Sequence, residues 1–148
     1  MDKYDVLKLE NQLCFPLYAV SKEIVRKYKP FLDEIDLTYT QYICMMAMWE
    51  HENMNVKELG EYLYLDSGTL TPLLKKLEEK EYIKRTRSKN DERNLIVKLT
   101  DKGKKLRDEA ISIPTKMACS LNLSIDEVKV LKKLLNNLLN NLENNIDK

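Results

Sequence analysis

A mainly α fold carrying one small β-hairpin is what this sequence predicts, and three observations predict it. Only three glycines and four prolines interrupt 148 residues, so long stretches are free to be helical. Apolar residues recur at spacings of three and four in successive blocks, the period of amphipathic helices. Region 82–99 departs from that period, with two short strand-like runs around a polar tip. At 43% hydrophobic and 33% charged residues, the chain reads as one globular domain, 1–148, with a real core.

Composition also excludes several classes. No apolar run approaches the roughly 20 residues of a membrane span, so no membrane partner is expected. The opening "MDKYDVLKLE" is too charged for a signal peptide, which makes the cytoplasm the expected compartment. Disulfides are not a structural resource there. The three cysteines form no C-x-x-C and His51 is the single histidine. That set is poor for a zinc site and for a Ser-His-Asp or Cys-His enzyme, and no metal or cofactor is expected.

The first helix is read from Leu7, Leu13, Cys14, Leu17, Tyr18, Ile24, Val25 and Tyr28, ending before Pro30. Pro16 is tolerable only close to a helix start, which favours Asn11 as N-cap and makes Cys14 the third helical residue. A second, very apolar helix covers 38–51 through Ile43, Met46, Ala47 and Trp49, with His51 near its end. "NVKELGEYL" is a short helix with Val56, Leu59 and Leu63 inward. After the turn "YLD", "SGTLTPLLKKLEEK" places Leu70, Leu73, Leu74 and Leu77 on one face. Asp66 is a good N-cap, but Pro72 then lies beyond the first turn; a start at Thr69 would place it inside. The residues alone leave both starts open.

Two short helices joined in this way read as a helix-turn-helix. The outward residues opening its second helix are Ser67, Gly68, Thr69 and Thr71, with Pro72 beside them, small enough for close approach to base edges. Lys75 and Lys76 follow one turn later, placed for phosphates. Tyr82–Arg87 and Asn94–Leu99 then form a hairpin with "SKNDE" at its tip, which completes a winged helix. The wing carries Lys84, Arg85, Arg87, Lys89 and Arg93, and Arg93 is placed to enter a minor groove. Between Lys75 and Arg107 thirteen Lys or Arg stand against six Asp or Glu; this local +7 within a net +1 chain fits a polyanion-binding face.

The tail "NNLLNNLENN" is an amphipathic helix through Val128, Leu131, Leu134, Leu135, Leu138, Leu139, Leu142 and Ile146, opened by a Ser124–Glu127 capping box. Terminal helices this apolar are commonly covered by a second copy, so a homodimer is expected.

The string "LYLDSGTLTPLLKKLEEKEYIKRTRSKNDERNLIVKLTDKG" closely resembles the DNA-binding core of MarR-type winged-helix transcription regulators. "LENQLCFPLYA", "RKYKPFLDEIDLTYTQY" and "MAMWEHE" resemble the thiol-based branch of that family, the organic hydroperoxide resistance regulators. The resemblance implies a homodimeric repressor on a pseudo-palindromic operator, with 1–32 and 108–148 as dimerisation helices around a DNA-binding core at 33–107. It implies that an organic hydroperoxide oxidises Cys14 and so releases the DNA, with Tyr28 and Tyr39 contacting the thiol. It places Cys119 near a resolving cysteine that would close an intersubunit disulfide with Cys14, a small thiol being the alternative partner, and makes Asp91 the residue that orients Arg93. The alternatives are a MarR-type regulator answering another oxidant or a small-molecule ligand, and a thiol peroxidase-like enzyme. No basic residue stands near Cys14 and no thioredoxin-like βαβ pattern is present, which weighs against the enzyme.

On the residues alone, Cys14 among Leu13, Phe15 and Leu17 reads as a small core hydrophobe sooner than as a reactive thiol, and Cys44 within "YICMMAM" as a core residue. Tyr28 lies fourteen residues beyond Cys14, about 21 Å along one helix, so contact between them is expected from a second subunit.

Overall fold

The computed structural model describes residues 2–145, and they divide into two compact units with the division after Ile113. In the first unit, two 3₁₀ turns, Asp5–Leu7 and Leu9–Asn11, lead into α1 (Cys14–Asp33) and α2 (Tyr39–His51). Then follow β1 (Asn53–Asn55), α3 (Val56–Leu63), α4 (Ser67–Glu79), β2 (Ile83–Arg87), β3 (Leu95–Leu99) and α5 (Asp101–Ala110). The second unit holds most of α6 (Ile113–Leu121) and all of α7 (Ile125–Asn144). This is the mainly helical winged helix-turn-helix that the sequence predicts. Helices run continuously through both anticipated boundaries: α1 crosses 32/33 and α5 crosses 107/108. Among the described residues no helix is long and apolar enough to cross a membrane.

Three local readings need correction. Asn11 does not cap α1. It closes the second 3₁₀ turn and its side-chain amide donates to the Asp5 carbonyl (2.7 Å), while Leu13 occupies the N-cap and Cys14 is the first helical residue. Pro16 thereby sits in the first turn, where its missing N–H costs nothing. α1 does not end before Pro30 but continues to Asp33, because Leu32 is fully buried and its carbonyl accepts from both Ile35 and Leu37 (3.1 Å each). Burial of one leucine, about 2 kcal/mol, offsets most of the roughly 3 kcal/mol a mid-helix proline costs. β1 escapes the sequence reading altogether: it pairs antiparallel with β3, Met54 opposite Val97, giving the sheet order β1-β3-β2.

Asp66 is the cap of α4; its carboxylate accepts from the Thr69 N–H at 2.8 Å. Pro72 therefore lies inside the helix, and the Gly68 carbonyl lacks its usual i+4 donor. The core of the first unit gathers Leu59, Leu70, Leu74, Leu77, Ile83 and Val97 of the winged helix against Cys44, Met45 and Met48 of α2. Met46 lies on the exposed side of α2.

α7 opens on the anticipated capping box: Ser124 Oγ accepts from the Glu127 N–H (3.2 Å) and Glu127 Oε2 accepts from the Ser124 N–H (2.8 Å). It has no buried residue, and Val128, Leu131, Leu134, Leu138, Leu139 and Leu142 are all exposed in the single chain. Ile146, the last residue of that stripe, lies outside the described residues.

Candidate nucleic-acid interface and thiol site

The start of α4 presents Ser67, Gly68, Thr69, Thr71 and Pro72 to solvent, with Lys75 and Lys76 exposed a turn later. The Asp66 cap sets that face, because the buried Leu70, Leu73, Leu74 and Leu77 fix the opposite side in the core. A helix of this width, with no long side chain in its first turn, can bring its backbone close to base edges.

The wing pairs Ile83 with Leu99 through Arg87 with Leu95 in antiparallel register. Its tip is braced from within. Asp91 Oδ1 accepts from the Arg93 N–H (3.0 Å), the Asp91 carbonyl accepts from Asn94 (3.0 Å), and Arg87 Nη1 donates to the Glu92 carbonyl (2.8 Å). Asp91 thus holds Arg93 through its main chain, where orientation of the side chain is expected from the resemblance. Arg93 itself is exposed. Arg85 lies in β2. It is half-buried, with both its N–H (2.9 Å) and its Nε (3.0 Å) donating to Glu78 Oε2, so its charge ties the base of the wing to α4.

The hydrogen bond from the Arg85 side chain, above all, holds the Glu78 carboxyl below its ordinary range against the opposing push of burial. The Arg85 N–H and the charges of Arg85 and Lys84 add to it. A carboxyl depressed in the folded state stabilises the fold above its unfolded value, near 4.5, and that contribution disappears as pH falls through the folded value. A Glu78→Gln variant is therefore expected to melt below the wild type at neutral pH and to converge with it in acid. Parallel melting curves at all pH values would contradict this.

The three cysteines sit in different surroundings. Cys44 is fully buried in α2, and burial pushes its thiol up to about 12, which removes it from nucleophilic chemistry. Cys14 and Cys119 are exposed in the single chain. Cys14 opens α1, and Phe15 and Tyr18 are exposed on the same helix. Tyr28 lies fourteen residues further along the same unbroken helix, about 21 Å away by helical rise, so the two cannot touch within one chain.

The structure does bring the two tyrosines together. The rings of Tyr28 and Tyr39 meet at a tilt of 47° with centroids 5.0 Å apart, and Tyr42 joins at 5.8 Å from Tyr28. Burial raises the hydroxyls of Tyr28 and Tyr39, with Tyr39 adding to the rise at Tyr28, and pushes Tyr42 up to about 12. All three remain protonated, and so able to donate, at neutral pH. Tyr42 meets Trp49 at 6.4 Å, and Trp49 Nε1 donates to the Gly103 carbonyl (2.8 Å). An aromatic row thus runs from Tyr28 to α5. Sequence reading missed Tyr42 and Trp49 as members of it, since their shared face appears only once α1 and α2 are packed. Among the described residues no group of His, Cys, Asp and Glu is arranged to hold a metal ion.

Comparison with known proteins places this architecture. A family model for the transcriptional regulator SarA/Rot matches residues 26–110. The organic hydroperoxide resistance transcriptional regulator of Bacillus subtilis is 48% identical over 88% of this chain and 89% of its own length. The HTH-type transcriptional regulator SarZ of Staphylococcus aureus is 53% identical over 78% of each. Among solved structures, reduced AbfR bound to DNA is 32% identical over 98% of this chain and 99% of its own, with a TM-score of 0.83. AbfR, from Staphylococcus epidermidis, is also known with a disulfide formed, at 32% identity over 99% and 97% and a TM-score of 0.63. The likeness to AbfR takes in nearly the whole chain, and the chain belongs to the SarA/Rot and organic hydroperoxide regulator group of MarR-like winged-helix transcriptional regulators.

Proposed function

We propose that this chain is a cytoplasmic, homodimeric repressor that binds a pseudo-palindromic operator and releases it when an organic hydroperoxide oxidises Cys14. One observation carries this reading. An exposed thiol opens α1 in a chain whose α4 and wing are shaped for DNA, while the remaining thiol of the first unit, Cys44, is sealed in the core. The relatives support it: one is named for organic hydroperoxide resistance, and AbfR has been solved bound to DNA in reduced and in overoxidized form, and with a disulfide formed.

In the reduced dimer each α4 lies in a major groove with Ser67, Gly68, Thr69, Thr71 and Pro72 toward the bases. Lys75, Lys76 and Arg87 face phosphates, and Arg93, held by Asp91, enters the flanking minor groove. The exposed apolar faces of α7 and the start of α1 are covered by a second copy. That pairing brings the Tyr28 and Tyr39 hydroxyls of one copy to the Cys14 of the other, where they stabilise a thiolate.

The thiolate attacks the terminal peroxide oxygen. An S–O bond forms as the O–O bond breaks, and the alkoxide leaves and takes up a proton as the alcohol. Sulfur loses two electrons and the peroxide gains them. Cys119 of the other copy, exposed in the single chain, then attacks the sulfenic sulfur, giving an intersubunit disulfide and water. A change at the subunit boundary alters the spacing of the two recognition helices, and spacing is what a two-half-site operator reads.

The chain is not an enzyme in this reading, because each thiol reacts once and then waits for reduction. The test pairs two measurements on the reduced full-length protein: affinity for a palindromic duplex from its own upstream region, and turnover of cumene hydroperoxide with a thiol reductant. Specific binding as one dimer per site without sustained turnover is the expected result. Sustained turnover without sequence-specific binding would overturn it.

A further inference from the structure

Helix α2 has a residue of the thiol site at one end and the root of the wing at the other. Tyr39, proposed above to meet the thiol of a second copy, is its first residue. Trp49 lies ten residues on, about 15 Å by helical rise. There the half-buried Trp49 donates its indole N–H to the Gly103 carbonyl of α5 (2.8 Å). Just beyond the helix, the Glu52 carbonyl accepts from the N–H of Leu99, the last residue of β3 (2.9 Å). The C-terminal end of α2 thus holds both the end of β3 and the start of α5.

Little slack separates these parts. Gly103 leaves no room for a Cβ against the carbonyl of Tyr82, the residue before β2. Thr100 Oγ1 accepts from the Gly103 N–H (3.0 Å) and donates to the Glu81 and Tyr82 carbonyls (2.6 and 3.0 Å). On the other side, the buried Tyr42 bridges Tyr28 and Trp49, with ring centroids 5.8 and 6.4 Å away. Close-packed contacts transmit a displacement rather than absorb it. A phenylalanine at position 49 would fill the same space against Tyr42. What tryptophan adds is one directional bond, from α2 to α5.

We infer that Trp49 is a positioning residue that carries the state of the thiol site to the wing. When oxidation of Cys14 displaces the Tyr28–Tyr39 pair, α2 moves as a rod, and the Trp49–Gly103 bond draws α5 and the root of the wing with it. The inference rests on the redox reading above. It adds to that reading a residue far from both the thiol and the DNA, on which release depends.

Trp49 is the single tryptophan of the chain, so its emission reports this link alone. The test titrates full-length wild type, C14S, W49F and T100V with cumene hydroperoxide. Tryptophan emission is read without DNA, operator affinity by anisotropy, and thiol oxidation by intact mass. Wild-type emission is expected to change over the peroxide range that releases the operator, and C14S emission to stay constant. W49F is expected to oxidise at the wild-type rate and to bind normally when reduced. Its loss of affinity on oxidation should be about tenfold smaller than that of wild type. T100V, which loosens α5 without touching the ring row, should show the same shortfall, and it replaces W49F if that variant does not fold. Release by wild type at constant emission would overturn the inference. A loss of affinity within about twofold of wild type in the variants, whatever their melting temperatures, would overturn it too, since Trp49 would then serve the fold alone. A wild type that keeps its operator with Cys14 fully oxidised would remove the redox reading on which the inference stands.

Discussion

A Gly103→Ala variant is expected to be destabilised by about 3 kcal/mol, lowering the melting temperature by roughly 6–12 °C. The sign runs against helix propensity, because alanine inside a helix is ordinarily favoured over glycine by about 0.5–1 kcal/mol. Here a Cβ would stand 2.2 Å from the Tyr82 carbonyl oxygen and 2.8 Å from Leu99 Cδ1. The first obstacle is backbone and cannot rotate away. That backbone is further tied down: Thr100 donates its N–H to the same Tyr82 carbonyl (3.1 Å), and Thr100 Oγ1 accepts from the Gly103 N–H (3.0 Å). α5 would have to lift from the start of β2, and the Trp49 hydrogen bond to the Gly103 carbonyl would stretch with it. Thermal unfolding of the two proteins at one concentration checks this. A melting temperature unchanged within about 2 °C would show that the approach of α5 to the wing is not rigid.

An Arg93→Ala variant is expected to bind the operator ten- to a hundredfold more weakly, about 1–3 kcal/mol, with the fold intact. Arg93 is exposed, so its removal leaves no buried group unpaired. The tip that carries it stays in place, because Asp91 accepts from main-chain N–H groups that alanine retains. The lost affinity should be largest on operators with A·T-rich flanks, and the slope of log affinity against log salt should fall by about one. Binding isotherms at several salt concentrations separate the two effects. Wild-type affinity at every salt concentration would place the wing outside the DNA.

Much of this was legible in the sequence because the signals are local. Leu70, Leu73, Leu74 and Leu77 repeat with the period of one turn, and the Ser124 cap acts within three residues. What stayed hidden depends on distant partners. β1 is three residues with no apolar alternation, and only its pairing with Ile96–Lys98 makes it a strand. Arg85 reads as one more wing cation until the path of β2 brings it onto Glu78. The extension of α1 through Pro30 follows from the burial of Leu32, which a helix-breaking residue masks in a local reading. The start of α1 at Cys14, rather than at Gln12 behind an Asn11 cap, follows from two 3₁₀ turns that carry no periodic signature. For the thiol site, spacing alone established that Cys14 and Tyr28 cannot meet along one helix, and the unbroken α1 agrees. The contact of Tyr28 with Tyr39 needed the packing of α1 on α2.

The claim at the centre of this account is that oxidation of Cys14 releases DNA. The most direct measurement follows operator binding by fluorescence anisotropy during titration with cumene hydroperoxide, with intact mass recorded at each point. Wild type, Cys14→Ser and Cys119→Ser proteins are compared in the absence of any small thiol. The account predicts that wild type releases the operator as its mass reports a disulfide, that Cys14→Ser stays bound throughout, and that Cys119→Ser accumulates sulfenic acid and releases incompletely. Release by Cys14→Ser at the same peroxide concentration as wild type would contradict it.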